Sequence, residues 1–203
     1  MTAYIICLIV GYFCGCISMG YFVGRFYHMD IRTKGSGNAG TTNVLRNLGK
    51  IPALITFAGD LVKAIIPILV IRLVFTPEQW YLWCLYCGLG VVLGHNYPFY
   101  LGFKGGKGIA VMIGMTAAMA FSMDIRLAIP NALIGFGMAF ITRYVSVGSL
   151  LFALTLPISA YLLGFPREML YLTIFVSAMA FWRHRGNIKK LLNGTENKFG
   201  SKK

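Results

Sequence analysis

Charged residues are scarce in this sequence, and that scarcity decides the class of protein. Only 12% of the 203 residues are charged, whereas soluble domains average roughly 25%. Hydrophobic residues make up 57%, and the mean hydropathy is +0.69. An ordinary soluble domain is therefore excluded, and most of the chain must lie in lipid. Because lipid cannot hydrogen-bond a backbone, and the apolar stretches show no two-residue alternation, the spans are predicted to be helices.

Acidic residues are the rarest charged type, with six Asp and Glu against nineteen Lys and Arg. They are scattered along the chain, at Asp30, Asp60, Glu78, Asp124, Glu168 and Glu196. A two-metal phosphotransfer centre needs several carboxylates close together. The sequence therefore predicts chemistry on an anionic substrate without a metal or cofactor, with Arg and Lys supplying the positive charge.

Cysteines give no sign of a disulfide framework or a zinc site. All five lie inside apolar segments, at Cys7, Cys14, Cys16, Cys84 and Cys87. A metal site or disulfide there would need an unusual setting within the membrane, so they are predicted to be small packing residues. The net charge of +13 could suggest a nucleic-acid partner, but no soluble module is present to carry a basic groove, so none is expected. In a membrane protein, Lys and Arg instead fix topology and attract anionic headgroups or substrates.

Seven apolar segments predict an all-α, polytopic membrane protein of about seven helices, which we treat as one domain over residues 1–203. The segments span about 3–24, 51–75, 80–93, 109–123, 127–142, 147–164 and 169–182. Segment 3–24 has no basic residue before it and is longer than a usual signal-peptide core, so we interpret it as the first span.

The basic residues predict the orientation of these spans. Alternate connections, including the tail from Arg183, carry fifteen Lys and Arg, whereas the intervening connections carry only Arg126 and Arg167. Because basic residues are enriched in cytoplasmic loops, the N-terminus is predicted outside and the C-terminus in the cytoplasm. An odd number of spans follows.

The first polar motif lies in loop 25–50 and runs from Ser36 to Arg46. Its glycines allow a ligand to approach the backbone, Thr41 or Thr42 can cap a following helix, and N–H groups at a helix start favour an anion. We interpret the run as a phosphate cradle. A flexible polar loop that merely turns the chain is the alternative.

The second polar motif, in loop 94–108, contains Lys104-Gly105-Gly106-Lys107-Gly108. It differs from a nucleotide-binding P-loop in spacing, and Gly108 replaces the metal-binding hydroxyl, which argues against a nucleoside triphosphatase. Lysines among glycines suit phosphate oxygens. They are also what any cytoplasmic loop would carry, and that alternative stays open.

The third polar cluster follows the last span. His184 lies between Arg183 and Arg185, and like charge favours the neutral imidazole that a general base requires. The alternative is a basic juxtamembrane cluster with an incidental histidine. Ser146 and Ser149, at another cytoplasmic helix start, can bond a substrate or cap the helix. The tail from Asn187 to Leu192 is predicted to form a short surface helix that ends at Asn193-Gly194.

Two charged residues fall inside the second span. Asp60 and Lys63 are three residues apart and can face each other on a helix, offsetting a burial cost of about 2.5–3.5 kcal/mol each. We predict a structural ion pair, and a part in lining the site remains the alternative.

Taken together, these motifs resemble the acyl-phosphate-dependent glycerol-3-phosphate acyltransferases of bacterial membranes. The resemblance spans nearly the whole chain and is carried by Ser36–Arg46, Gly94-His95-Asn96, Lys104–Gly108, Arg183-His184-Arg185 with Asn187-Ile188, and Asn193–Glu196. Ala64 departs from the glycine that many members of that family have after an Asp-x-x-Lys pattern.

The resemblance implies a reaction and a set of site residues. Glycerol 3-phosphate would be acylated at its position-1 hydroxyl by a fatty acyl phosphate, giving 1-acylglycerol 3-phosphate and phosphate, in the bacterial inner membrane with the site facing the cytoplasm. The implied catalytic residues are Ser36, His184 and Asn187. The implied substrate-binding residues are Gly37, Asn38, Thr41, Asn43, Arg46, His95, Lys104, Gly105, Gly106, Lys107, Ser146, Ser149 and Arg183. Membrane lipid is the expected surrounding partner, and the expected state is a monomer.

Two other classes compete with this interpretation. A small transporter for an organic phosphate would show inverted repeats and polar breaks in mid-membrane, whereas the polar motifs here lie in loops. A lipid phosphatase or alcohol phosphotransferase would need metal-binding carboxylates or a phosphohistidine arrangement, which the sequence lacks.

Overall fold

The computed structural model of the chain describes residues 2–75 and 80–200, and the regular structure in these ranges is all helical. The ten α-helices are α1 Thr2–Cys16, α2 Met19–Phe26, α3 Thr41–Leu48, α4 Lys50–Val74, α5 Trp80–Asn96, α6 Ile109–Ser122, α7 Ile129–Thr142, α8 Val145–Leu162, α9 Arg167–Arg183 and α10 Arg185–Leu192. Short 3-10 helices cover Ile31–Thr33, Phe99–Leu101 and Ile125–Leu127. The predicted all-α class is confirmed. Glu78 and the tail residues Lys202 and Lys203 lie outside the described residues.

Four helical stretches are long and apolar enough to cross a membrane: Thr2–Phe26, Lys50–Val74, Ile125–Thr142 and Val145–Leu162. Helix α6 is apolar but shorter, and α5 and α9 have 17 residues each. Large apolar side chains such as Leu73 and Phe140 are exposed along these helices, as expected for surfaces that face lipid. Each of the seven apolar segments contains a helix, and the count of seven spans stays a prediction.

The first span is broken, although its sequence predicts one continuous helix. Helix α1 ends at Cys16 and α2 begins at Met19. The Lys63 Nζ donates to the Ile17 carbonyl oxygen at 2.7 Å. The Tyr100 hydroxyl donates to the Cys16 carbonyl oxygen at 2.8 Å and accepts from the Ser18 N–H at 3.4 Å. Non-helical backbone at membrane depth requires protein partners, and these two side chains supply them.

The chain separates into two compact units, Met1–Ser122 and Met123–Lys203. In the first unit, α1 packs chiefly on α5, and α4 packs on α6 and α3. A small apolar cluster holds loop 25–50 onto the start of α4 and consists of Val23, Ile31, Ala39, Val44 and Ala53. In the second unit, α8 packs on both α7 and α9.

Helices α1 and α5 approach closely enough for their backbones to touch. Four glycines make this possible: Gly11, Gly15, Gly90 and Gly94. At Gly90, a Cβ would lie 2.7 Å from the Tyr12 nitrogen and 3.0 Å from the Gly11 carbonyl carbon. Small residues four apart are the usual means by which membrane helices pack this tightly.

We expect Gly90→Ala to lower stability and Gly137→Ala not to. A Cβ at Gly90 meets backbone, which cannot move away as a side chain can, so overpacking should cost about 1–3 kcal/mol or more. A Cβ at Gly137, in α7, meets nothing within 4 Å, and alanine there gains up to about 1 kcal/mol of helix propensity. Thermal unfolding of both variants in detergent measures the difference, and equal midpoints would contradict the close α1–α5 contact.

The cysteines lie where packing residues belong. All five are unpaired thiols; Cys14 is half-buried and the other four are buried. Three of them, Cys7, Cys14 and Cys16, lie on α1, and Cys84 and Cys87 lie on α5. This placement agrees with their prediction as packing residues.

Candidate active site

Asn43 shapes the first polar loop. Its Oδ1 accepts from the Ser36 N–H at 3.0 Å, and its Nδ2 donates to the carbonyl oxygens of Ile31 at 2.9 Å and Lys34 at 3.0 Å. Asn47 Nδ2 also donates to Asn43 Oδ1 at 3.2 Å. Asn43 is buried, and its side chain fixes the backbone of the loop; the substrate contact expected of it stays a prediction.

The residues around Asn43 remain near the surface. Ser36 and Gly37 are exposed, Asn38 is half-buried, and Arg46 is exposed in the last turn of α3. Gly37 has a φ of 70°, a left-handed conformation that favours glycine. The loop therefore carries the Ser36 hydroxyl, the Asn38 amide and the Arg46 guanidinium near the surface, on a backbone that Asn43 fixes.

Helix α3 begins inside this loop. Its N-cap residue is Gly40, which has no side chain to cap the first turn. The hydroxyl of Thr41, the first helical residue, is buried and has no hydrogen-bond partner in the part of the chain that the structure describes. Uncapped N–H groups and a spare hydroxyl at a helix start suit an anion. The cap expected from Thr41 or Thr42 is not formed, because Gly40 occupies that position.

An ion pair stands at the entrance to the first loop. Asp30 Oδ2 lies 2.8 Å from Arg32 Nη2, and Asp30 also accepts from the Arg32 N–H at 3.0 Å. Hydrogen bonds from Arg32 hold the pKa of the Asp30 carboxyl below its usual range. Asp30 is thus ionised and engaged in closing a turn.

Loop 94–108, called the glycine-rich loop below, folds back over the end of α5. The Gly105 N–H donates to the Asn96 carbonyl oxygen at 3.1 Å, and the Gly106 N–H donates to the His95 carbonyl oxygen at 2.9 Å. Both glycines are buried, whereas Lys104 is exposed and Lys107 is half-buried. The backbone of this loop is therefore fixed, and its two lysines extend from it.

His95 lies beneath this loop. It is 4% exposed, and a Cβ on Gly106 would come within 2.6 Å of its Cε1. Its Nδ1 is 2.9 Å from Lys63 Nζ and 3.5 Å from Asp60 Oδ1. The structure thus places His95 against buried charges of α4. The ion pair predicted between Asp60 and Lys63 is confirmed, with Lys63 Nζ at 2.8 Å from Asp60 Oδ1.

In the second unit, His184 occupies the junction between α9 and α10. It is 3% exposed, and its Nδ1 is 2.8 Å from the Ala180 carbonyl oxygen. A carbonyl oxygen can only accept, so Nδ1 carries the proton and the lone pair of the neutral imidazole lies on Nε2. In this tautomer a neutral His184 can act as a general base through Nε2.

Asn187 follows His184 by one turn of α10. Its Nδ2 donates to Glu196 Oε1 at 3.0 Å, and Glu196 is buried. Arg183, at the end of α9, is half-buried. The predicted tail helix is confirmed as α10, which begins two residues before Asn187 and ends at Leu192 as expected.

The two serines near Arg143 lie in the first turns of α8. Ser146 is 5% exposed, and its hydroxyl has no hydrogen-bond partner among residues 2–75 and 80–200. Ser149 is half-buried one turn later. Neither serine caps α8, because Tyr144 is its N-cap residue. The capping alternative is thus not what the structure forms.

Comparison with known proteins places the whole chain in one family. Residues 5–194 match the family described as Glycerol-3-phosphate acyltransferase. The chain belongs to this family. The glycerol-3-phosphate acyltransferase of Halalkalibacterium halodurans is 41% identical over 202 residues, which are 97% of this chain and 96% of that protein. That of Clostridioides difficile is 41% identical over 206 residues, with 99% of this chain and 98% of that protein covered.

Solved structures of this acyltransferase family have the same fold. A crystal structure of PlsY (YgiH), an integral membrane glycerol 3-phosphate acyltransferase, in the glycerol 3-phosphate form has a TM-score of 0.88 at 36% identity, covering 97% of this chain and 96% of that chain. The lysophosphatidic acid form has a TM-score of 0.85 at 35% identity, covering 97% and 95%. The family resemblance and the integral membrane class are therefore confirmed.

Sequence reasoning about this acyltransferase missed several partners. Glu196 belonged to a matched tail motif, but nothing in the sequence indicated that it would bond Asn187. Tyr100 gave no signal at all. The tail also returns to the α7–α8 turn, where the Phe199 N–H donates to the Arg143 carbonyl oxygen at 2.8 Å. Contacts between residues so distant in sequence leave no local pattern.

Proposed function

We propose that this acyltransferase moves a fatty acyl group from acyl phosphate to the position-1 hydroxyl of glycerol 3-phosphate, in phospholipid biosynthesis. The products are 1-acylglycerol 3-phosphate (lysophosphatidic acid) and inorganic phosphate. Support comes from the PlsY crystal structures, whose glycerol 3-phosphate and lysophosphatidic acid forms correspond to this substrate and product. Phosphate is already a good leaving group, so the enzyme mainly has to orient two anions and activate one alcohol.

The observation that carries the proposal is the 2.8 Å contact between His184 Nδ1 and the Ala180 carbonyl oxygen, from which the tautomer follows. With Nδ1 bonded to Ala180, Nε2 is the nitrogen that takes the proton from the position-1 hydroxyl. The alkoxide oxygen forms a bond to the acyl carbonyl carbon, the bond from that carbon to the phosphate oxygen breaks, and phosphate leaves with the electron pair. The proton on Nε2 then passes to the departing phosphate. A phosphate oxygen of the substrate is the alternative proton acceptor, and the His184 variants in the Discussion separate the two.

The remaining polar residues hold the two phosphate groups and the reacting oxygens. Arg46, Lys104, Lys107 and Arg183 offset the repulsion between the anions. Side-chain groups orient the substrate oxygens: Ser36, Asn38, Thr41, Asn187, and Ser146 or Ser149. Gly37, Gly105 and Gly106 shape the two loops, because their N–H groups already donate to the carbonyl oxygens of Lys34, Asn96 and His95. Asn43 acts through the backbone that it fixes. Ser36 as a covalent acyl carrier is disfavoured, because the sequence gives no sign of the acid, base and serine set of a conventional triad.

The acyltransferase works, in this proposal, as a single domain and a monomer, without a metal or cofactor. It crosses the bacterial inner membrane seven times with its N-terminus outside and its C-terminus in the cytoplasm, and its reaction takes place on the cytoplasmic side. Support comes from the distribution of Lys and Arg and from four helical stretches that are long and apolar enough to span a membrane.

The deciding experiment uses purified protein in detergent with acyl phosphate, glycerol 3-phosphate and a chelator. We expect phosphate release that requires both substrates and is insensitive to the chelator. Release without glycerol 3-phosphate would instead indicate a phosphatase. Absence of turnover, together with uptake of glycerol 3-phosphate into liposomes that contain the protein, would favour a transporter. Loss of activity with the chelator would refute the metal-independent mechanism.

A further inference from the structure

A buried polar cluster lies where three segments of the first unit meet. It consists of Asp60 and Lys63 on α4, His95 on α5, and the unwound backbone between α1 and α2. Lys63 Nζ lies within 3 Å of Asp60 Oδ1, the Ile17 carbonyl oxygen and His95 Nδ1, at 2.8, 2.7 and 2.9 Å respectively. An ammonium group can only donate, so His95 Nδ1 accepts from Lys63 and the imidazole proton lies on Nε2.

Both loops that are proposed to bind phosphate connect to this cluster. The ring of His95 supports Gly106, and the His95 carbonyl oxygen accepts from the Gly106 N–H at 2.9 Å. Tyr100, within the glycine-rich loop, bonds the broken backbone on either side of Ile17.

The loop from Ser36 to Arg46 connects to the same break through α2. Helix α2 begins directly after the break, and Gly20 in its first turn contacts the backbone of Ala39 so closely that a Cβ would lie 2.8 Å from the Ala39 carbonyl carbon.

We propose that Lys63, with Asp60, His95 and Tyr100, is a positioning group that sets both phosphate-binding loops through the break in the first span. The inference rests on the proposed function for its kinetic meaning. It assigns His95 to the support of the glycine-rich loop, where the sequence predicted a direct substrate contact. None of these four residues needs to touch a substrate.

If Asp60 and Lys63 formed only a structural ion pair, replacing both residues would have a different effect on the protein than if they position the loops. Replacing both members of a buried pair by apolar residues is often neutral for stability, whereas removing one leaves an uncompensated charge. A structural pair would therefore be dispensable once both charges are removed. A positioning group would remain necessary even then, because the double replacement still removes the bonds from Lys63 to Ile17 and His95.

The test compares Lys63→Met with the double variant Asp60→Leu/Lys63→Met. We expect the single variant to have a lower melting midpoint and the double variant to recover much of it. In both variants, KM for glycerol 3-phosphate should rise about tenfold or more, with a smaller fall in kcat. The reason is that the hydrogen bonds from Lys63 to the Ile17 carbonyl oxygen and to His95 Nδ1 are lost. A double variant with wild-type KM would overturn the proposal.

Two further variants keep the result interpretable. Tyr100→Phe removes only a hydroxyl, and KM should rise about threefold to tenfold even if the α4 variants do not fold. Arg72→Met is the matched control, because Arg72 lies on the same helix about 14 Å along from Lys63 and stacks over the Trp80 ring instead. We expect it to leave KM unchanged. Wild-type KM in Tyr100→Phe would count against the proposal.

Failure of the proposed function can be recognised separately. If the wild-type protein shows no turnover, glycerol 3-phosphate binding to the same variants is measured by calorimetry. Weaker binding in Tyr100→Phe and in the double variant, but not in Arg72→Met, would support the positioning role without catalysis. Equal binding in all of them would refute it.

Discussion

We expect His184→Asn to lower kcat by about 10²- to 10⁴-fold while KM for glycerol 3-phosphate changes little, since general-base catalysis contributes a factor of this size. Asparagine places an N–H near the position of Nδ1, so the bond to the Ala180 carbonyl oxygen can persist and the α9–α10 junction can fold. It offers no equivalent of Nε2. His184→Ala should have the same effect on kcat and a larger effect on stability, because the bond to Ala180 is also lost. Steady-state kinetics with acyl phosphate and glycerol 3-phosphate measures both constants.

His28→Asn is the matched control for these variants. His28 is exposed, follows α2, and has a φ of 55°, a conformation that asparagine tolerates. It should leave kcat unchanged. If His184→Asn retained wild-type kcat, a phosphate oxygen of the substrate would be the proton acceptor, and the proposed role of Nε2 would be wrong.

The second large effect is expected from Arg46→Ala, which should raise KM for glycerol 3-phosphate about 10- to 100-fold or abolish activity. The guanidinium extends from the last turn of α3, and losing hydrogen bonds to a charged phosphate costs about 1.5–3 kcal/mol. Because Arg46 is exposed, its removal should change the melting midpoint little. Initial rates over a range of glycerol 3-phosphate concentrations give the KM.

Arg46→Lys and Lys50→Ala complete this test. Lysine keeps the charge but not the planar pair of donors, so Arg46→Lys should recover only part of the affinity. Lys50 is an exposed cation at the start of α4, four residues beyond Arg46, and its replacement should have little effect. Equal effects of Arg46→Ala and Lys50→Ala would mean that loop 25–50 contributes only general positive charge.

Residue patterns predicted the helices well because each depends on a local property. A run of apolar residues cannot lie in lipid except as a helix, so the second, sixth and seventh segments each coincide closely with α4, α8 and α9. The ion pair of Asp60 and Lys63 was predictable for the same reason, since a spacing of three residues determines proximity on one helix. Helices and short-range ion pairs can therefore be predicted from a short stretch of sequence.

The break in the first span was not predictable in this way. Ile17 and Ser18 continue an apolar stretch without proline, and nothing nearby indicates that the helix stops there. The unwound backbone is stable because Lys63 and Tyr100, 46 and 82 residues away from the groups they bond, supply its hydrogen-bond partners. Because these hydrogen-bond partners come from distant parts of the chain, the residues around the break do not show that the helix ends there.

The sequence alone determined that this is a helical membrane protein and which loops carry its polar motifs, because hydropathy and residue type are local properties of the chain. Only the tertiary structure decided which of the polar side chains are bonded to other parts of the protein. Asn43 and His95 have the same chemistry as Asn38 and His184 in the sequence, yet Asn43 is used up in bonds to loop backbone and His95 rests on a buried ion pair. The role of a polar side chain depends on which partners the fold brings to it, and those partners come from distant parts of the chain.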